Sequence, residues 1–282
     1  MAIKIVTDST CDLPDEVIKE YDITVVPVYV NLGEESYQDG VDLNRNEFYS
    51  RIERHKIYPT TASPAIDHFS KAFSKLASKG ADCILSIHLS SSIGGVFNVA
   101  QLASKNVKRI LVHTFDTGQI SIGTGFIVAA AAKMAKAGKN LNEIIASIQD
   151  LANRTYTFAM VDNLNFLKHS GRISQFKTLL GSILQVKPVL RFYRGIPSVE
   201  VVRTSKAAFD HLIRSIRSLG NLERLSVLHI NAHERALILL REAEKQFAGQ
   251  LSPRIIEVSP AIGTHIGPGA VGFAVIVASP EQ

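Results

Sequence analysis

The sequence predicts an α/β fold with two domains, a parallel-sheet N-terminal domain and a mixed-sheet α/β C-terminal domain. Three observations carry this reading. Strands alternate with helices over the first half, which implies parallel βαβ units with functional loops at the carboxyl ends of the strands. In the second half the alternation gives way to Gln185 to Phe192 and Ile196 to Val202 joined by Tyr193-Arg194-Gly195, the pattern of an antiparallel hairpin. The chain has 282 residues, 46% hydrophobic and 20% charged, so it is long enough for two domains and too apolar for disorder. A boundary near Asn153 divides it into domains over 1–152 and 153–282.

The elements follow in order. Ala2 to Thr7 is an apolar strand, and Pro14 at a first helical position opens a helix toward Tyr21. Ile23 to Val30 reads as one strand at an edge or bulge, because Pro27 removes a ladder donor. Helical periodicity spans Asn44 to Arg54 and Ala65 to Ser78, separated by the loop Tyr58 to Pro64. Ala81 to His88 and Arg109 to Phe115 are strands, followed by helices at Val96 to Ser104 and Ile120 to Lys136, and Leu141 to Ala152 is a further helix. Tyr156 to Val161 is a strand and Asn163 to Lys168 a short helix; another begins near Ser174 and runs to about Ser182. After the hairpin come helices at Ser205 to Ser218 and Glu234 to Phe247, and strands at Leu225 to Ile230, Arg254 to Val258 and Val271 to Val277.

Composition and motifs exclude several classes. Aromatics make up 7% with no Trp, which disfavours stacking surfaces for bases. No apolar run reaches the roughly 18 residues of a membrane span, and no secretory signal opens the chain, so a cytoplasmic location and no integral membrane association are expected. The two cysteines, Cys11 and Cys83, are isolated, and of the nine histidines only His229 and His233 lie four apart, across a strand-to-helix junction; neither a disulfide framework nor a metal site is expected. Gly267-Pro268-Gly269-Ala270-Val271-Gly272 matches G-x-G-x-x-G but has no room for the βαβ unit a dinucleotide site needs. There is no G-x-x-x-x-G-K-[ST], and Asp116-Thr117-Gly118 is a single copy of a triplet whose protease chemistry needs two carboxylates.

The net charge of +5 is unevenly placed: residues 1–152 carry −2 and 153–282 carry +7. Most of the excess lies between Lys168 and Arg217. Without interleaved aromatics or a reading motif, that segment points to an acidic protein or phosphorylated ligand instead of nucleic acid.

What remains is a set of small, hydroxyl-rich and glycine-rich loops. Pro59-Thr60-Thr61-Ala62-Ser63-Pro64 offers hydroxyls on a stiffened stretch. Ser90-Ser91-Ser92-Ile93-Gly94-Gly95 precedes a helix, whose free N–H groups and dipole favour an anion. Ile262 to Gly269 sets His265 among glycines that admit close backbone approach. Each is also ordinary turn chemistry, but together they suit one carboxylate or phosphate.

In order and spacing, Asp8-Ser9-Thr10-Cys11-Asp12-Leu13-Pro14, Pro59-Thr60-Thr61, Ser90 to Ala100, Asp116, Gly171-Arg172-Ile173-Ser174, Lys187-Pro188 and Gly263 to Gly269 resemble the DegV family, fatty-acid-binding subunits of bacterial fatty acid kinase. The likeness spans essentially the whole chain. It implies a Rossmann-like first domain, and a second domain that buries an acyl chain with its carboxylate near the cleft between the two. It further implies that Thr61 and His265 bind the carboxylate. The third family contact is a Ser that aligns with Gly94 here, so a backbone N–H of Gly94 or Gly95, or the Ser92 hydroxyl, is the expected substitute. Arg172, with Arg203 as companion, matches positions associated with docking to the kinase. The function so implied is to bind a long-chain fatty acid in a buried tunnel and present its carboxylate to a separate ATP-dependent kinase, with no cofactor and no catalysis by this chain. The alternative is a hydrolase or acyl transferase using a loop Ser with His265; against it, no G-x-S-x-G elbow occurs and no carboxylate orienter for the His can be named.

Overall fold

A computed structural model describes residues 2–55, 58–162, 164–176, 186–247 and 251–279. The helix expected from Ser174 to Ser182 falls mainly outside them; the part described is a 3-10 turn at Arg172–Gln175.

The first 154 residues alternate as expected. They comprise β1 (Ile3–Asp8), α1 (Asp15–Glu20), β2 (Thr24–Val26), β3 (Tyr29–Leu32), β4 (Glu35–Gln38), α2 (Arg45–His55), β5 (Thr60–Ala62), α3 (Ile66–Ser78), β6 (Cys83–His88), α4 (Val96–Asn106), β7 (Leu111–Asp116), α5 (Ile122–Lys136) and α6 (Leu141–Arg154). A parallel sheet runs in the order β2-β1-β6-β7. The chain steps from β1 to β2 on one side and returns to β6 on the other, so the topological switch lies between β1 and β6, the usual place for a ligand crevice.

Three expectations are corrected here. Ile23 to Val30 is not one strand: Val26 ends β2, and beyond Pro27 the chain enters a separate antiparallel sheet of order β4-β3-β5. Pro14 caps α1 instead of occupying its first turn. The segment around Thr61, read as a loop, is the edge strand β5, with Thr61 opposite Val30.

The second half contains β8 (Thr155–Met160), α7 (Asn165–His169), β9 (Lys187–Tyr193), β10 (Ile196–Val202), α8 (Ser205–Arg217), β11 (Leu222–His229), α9 (His233–Gln246), β12 (Arg254–Glu257), α10 (Pro260–Ile266) and β13 (Val271–Val277). They build a mixed sheet of order β10-β9-β8-β13-β11-β12, in which only β11 and β12 run parallel. The expected hairpin is present, with Ile196 opposite Tyr193. Its central strand β13 is covered on both faces, which is why it reads as a continuous apolar run. Val271, Phe273 and Val275 of β13 pack with Leu212 and Leu239 of α8 and α9, whereas Ala274 and Ile276 join the core shared with the first half.

Sequence reading missed α10, taking its residues for a glycine-rich loop. Ser259 stands at its N-cap position, without a side-chain capping bond, and Pro260 occupies its first position, a start signal hidden by the short apolar run that follows. Gly263 is required because a side chain there would collide with the Tyr49 ring of α2. Gly267 ends the helix at φ +83° and lies against the Phe166 ring, where no other residue fits.

Candidate functional site

A cavity opens where the β1–β6 switch point, β5 and α10 meet. Among the described residues its polar lining includes Thr10, Thr61, Ser63, Arg172 and His265, with the Gly94-Gly95 backbone. Residues 204 positions apart are thus brought into contact: Thr61 Oγ1 lies 2.9 Å from His265 Nε2. β5 fixes the threonine and α10 the histidine. His265 Nδ1 is buried with no hydrogen-bond partner among the described residues. Burial, with the nearby Arg172 charge second, pushes His265 down to about 4, so the ring is neutral at pH 7. A tautomer carrying its proton on Nδ1 accepts at Nε2 from the threonine hydroxyl and leaves Nδ1–H to an incoming oxygen.

The Gly94-Gly95 loop faces this pair. Gly95 caps α4 without a side-chain hydrogen bond. The first-turn N–H groups of this helix therefore have no intrahelical partners, and the dipole favours an anion there. A side chain at Gly95 would come within 3.1 Å of Ser63 Oγ, whereas one at Gly94 would meet only Leu89 Cδ1 at 3.6 Å. A serine therefore fits at Gly94. Ser92 is exposed, shares a 2.9 Å hydrogen bond with Ser90, and does not line the cavity. Arg172, half-buried behind Gly171, does line it. Arg203 is exposed between β10 and α8 and is not among the lining residues.

Beside this polar mouth, Ile120, Phe192, Ile262 and Ile266 also line a second space, so the two adjoin across these four apolar side chains. The deeper space runs along the inner face of the six-stranded sheet, past Ala159, Leu228, Ile230 and Ala270. The arrangement offers a small polar head site and an aliphatic interior. His229, at the far end, is pushed down to about 4 by burial first and by the charges of His233 and Arg45 next, so it adds no cation.

A hydrogen-bonded trio also escaped sequence reading. Ser86 Oγ lies 2.7 Å from His88 Nε2, and His88 Nδ1 lies 2.7 Å from Asp8 Oδ2. The signal was available, since Ser86 and His88 are polar residues two apart in an apolar strand and so share one face. All three are fully buried and line none of the cavities described, so no substrate reaches Ser86. Asp8 also accepts from the N–H and hydroxyl of Thr10, which ties the trio to the cavity wall. His265 itself has no carboxylate beside it among the described contacts, which leaves the loop-serine hydrolase reading without its orienting group.

Tyr193 of the basic segment meets a ring from outside it. Tyr156 stacks on Tyr193 at 4.1 Å, and Arg191 lies over both rings. These rings are already covered by the protein's own guanidinium. Among the described residues there is no helix long and apolar enough to cross a membrane, and no group of three or more His, Cys, Asp or Glu that could hold a metal ion.

Comparison with known proteins agrees with this architecture. A DegV domain-containing protein of Listeria innocua is 36% identical over 276 residues, covering 96% of this chain and 97% of the relative. The crystal structure of DegV, described as a fatty acid binding protein from Bacillus subtilis, superposes with a TM-score of 0.91 at 31% identity, covering 99% of this chain and all of that one. A Thermus thermophilus structure described as fatty acid binding of a DegV family protein gives 0.87 at 30% identity, with 99% and 100% covered. The family model for DegV, a family of uncharacterised proteins, matches residues 2–278, and the chain belongs to the DegV family.

Proposed function

We propose that this protein binds a long-chain fatty acid and holds its carboxylate for a separate ATP-dependent kinase. The observation that carries the reading is that the Thr61–His265 mouth adjoins an aliphatic interior across Ile120, Phe192, Ile262 and Ile266. An acyl tail lies along the inner face of the six-stranded sheet. Burying about 14 methylenes at roughly 0.8 kcal/mol each gives about 11 kcal/mol gross, before association and ordering costs. A few polar contacts then suffice to fix the head. His265 Nδ1–H and the Gly94 and Gly95 amides supply them, Thr61 holds His265 in that tautomer through its hydroxyl, and Arg172 adds positive charge at the mouth.

In the kinase reaction one carboxylate oxygen attacks the γ-phosphorus of ATP, the bond to the β-γ bridging oxygen breaks, and an acyl phosphate and ADP result. This chain performs no bond chemistry; it positions the nucleophile. Arg172 and Arg203 attract the partner, and a cytoplasmic location belongs to the same reading. Lipid extraction and mass spectrometry of the purified protein test the first half, with a fatty acid at about one per chain expected and none after repletion counting against it. Titration into the cognate kinase with ATP tests the second: Arg203→Ala weakens coupling without changing acyl affinity, Arg172→Ala weakens both because it also lines the mouth, and unaltered coupling in both rejects the docking role.

A further inference from the structure

A second cavity, of about 410 Å³, shares no lining residue with the mouth or interior just described. Asp12, Asp39, Arg45 and Ser259 supply its polar surface, and Leu13, Val25 and Leu43 its apolar walls. Asp12 and Asp39 are only 3% and 2% exposed. Both oxygens of Asp12 are engaged, one by the Ser259 N–H at 2.9 Å and one by the Ser121 hydroxyl at 2.5 Å, with Arg45 Nη2 3.8 Å away. The Ser9 hydroxyl and the Ala261 N–H lie close enough to the Asp39 carboxyl to favour its charged form. Asp39 Oδ2 is nevertheless buried and has no hydrogen-bond partner among the described residues, and the same holds for Arg45 Nε. Two buried carboxylates thus face one guanidinium, and two of the lining residues carry an unpaired acceptor and an unpaired donor. Unmade hydrogen bonds on buried polar atoms are costly, and a molecule that completes both is strongly selected.

We propose that this cavity binds a small organic ammonium ion with an oxygen acceptor on a neighbouring carbon, the chemistry of an amino alcohol or an amino acid. The ammonium donates to Asp39 Oδ2 and balances the excess carboxylate charge. The neighbouring oxygen accepts from Arg45 Nε–H, and the short carbon body packs on Leu13 and Leu43. Burial, the largest cause, lifts Asp39 to about 7 and Asp12 to about 6, so the ammonium takes the place of a loosely held proton. A bare metal ion suits the site less well, since it needs several anionic or carbonyl ligands and would sit beside the Arg45 charge. The proposal does not rest on the acyl-binding reading.

Calorimetric titration of the full chain with ethanolamine tests it, alongside propylamine, propan-1-ol, KCl and MgCl2. Saturable binding of one ethanolamine per chain is expected, with propylamine weaker and propan-1-ol silent. Asp39→Asn weakens the ethanolamine constant by about 10-fold or more, as expected for loss of a charge-assisted hydrogen bond. Because that variant also alters a buried charge, a second readout uses the unaltered chain: the amide resonances of Gly40 and Ala261 shift on adding ethanolamine. Absence of saturation, an unchanged constant in Asp39→Asn, resonance shifts confined to other regions, or displacement of ethanolamine by K+ or Mg2+ at equal concentration would each overturn the assignment.

Discussion

Along β13, Val271, Phe273 and Val275 enter one core while Ala274 and Ile276 enter another, whereas β6 is buried from end to end and turns Ser86 and His88 into a single polar trio with Asp8. The six-stranded sheet is an apolar slab held from both faces. The parallel sheet instead collects polar groups at the carboxyl ends of β1 and β6, where the strand order reverses. The difference shows how one chain separates two tasks, with recognition of a charged head at strand ends and loops and burial of an apolar body on a sheet face.

Substitutions that strike one region and spare the other test that separation. The largest effect is expected from Phe273→Ala, which empties the side of the slab away from the cavity; a loss of about 3–5 kcal/mol in urea unfolding is predicted. A loss below about 1 kcal/mol would show that the slab is not anchored from that face. In the parallel sheet, Ser86→Ala leaves a ring nitrogen of His88 without its partner and should cost about 1–3 kcal/mol, with no change in any hydrolytic activity. Loss of such an activity would make the trio catalytic after all.

The two regions also respond to pH with opposite sign. His265 and His229 titrate near 4 in the folded chain against about 6.5 unfolded, so the unfolded state binds more protons in that window. Their contribution is complete above about 6.5 and is lost as pH falls toward 4. Asp12 and Asp39, held at about 6 and 7 by burial, keep their protons in the folded chain where unfolded carboxyls near 3.8 have released them. Their contribution grows as pH falls from about 7 to 3.8. Asp39→Asn should therefore steepen the acid loss between pH 7 and pH 4.5, and His229→Gln should flatten it, as read by denaturant midpoints. The smallest effect is expected from Gly94→Ser, whose hydroxyl fits beside Leu89 and gains one hydrogen bond to a bound carboxylate, a few-fold tighter binding.

Much of this was readable from the chain. The alternation through α6, the hairpin and the positions 61, 94, 95, 172 and 265 are local patterns, and all five of those residues line one cavity. What escaped was non-local. Pro27 separates two short strands whose partners lie in different sheets, and β5 is a strand only because Val30 pairs with Thr61. The seven-residue α10 exists because α2, β3 and β5 pack against it, not because of its own propensity. Ser92, chosen for its loop, hydrogen-bonds to Ser90, and the cavity of Asp12 and Asp39 joins residues more than 20 positions apart.

The most direct measurement of the central claim is native mass spectrometry of the delipidated chain offered palmitate and methyl palmitate at equal concentration. One palmitate per chain is predicted, with the ester bound about 10-fold or more weakly, and His265→Ala and Thr61→Ala should erase that preference while retaining the tail. Equal occupancy by acid and ester, or a preference that survives His265→Ala, would contradict the assignment of a carboxylate head to the Thr61–His265 mouth.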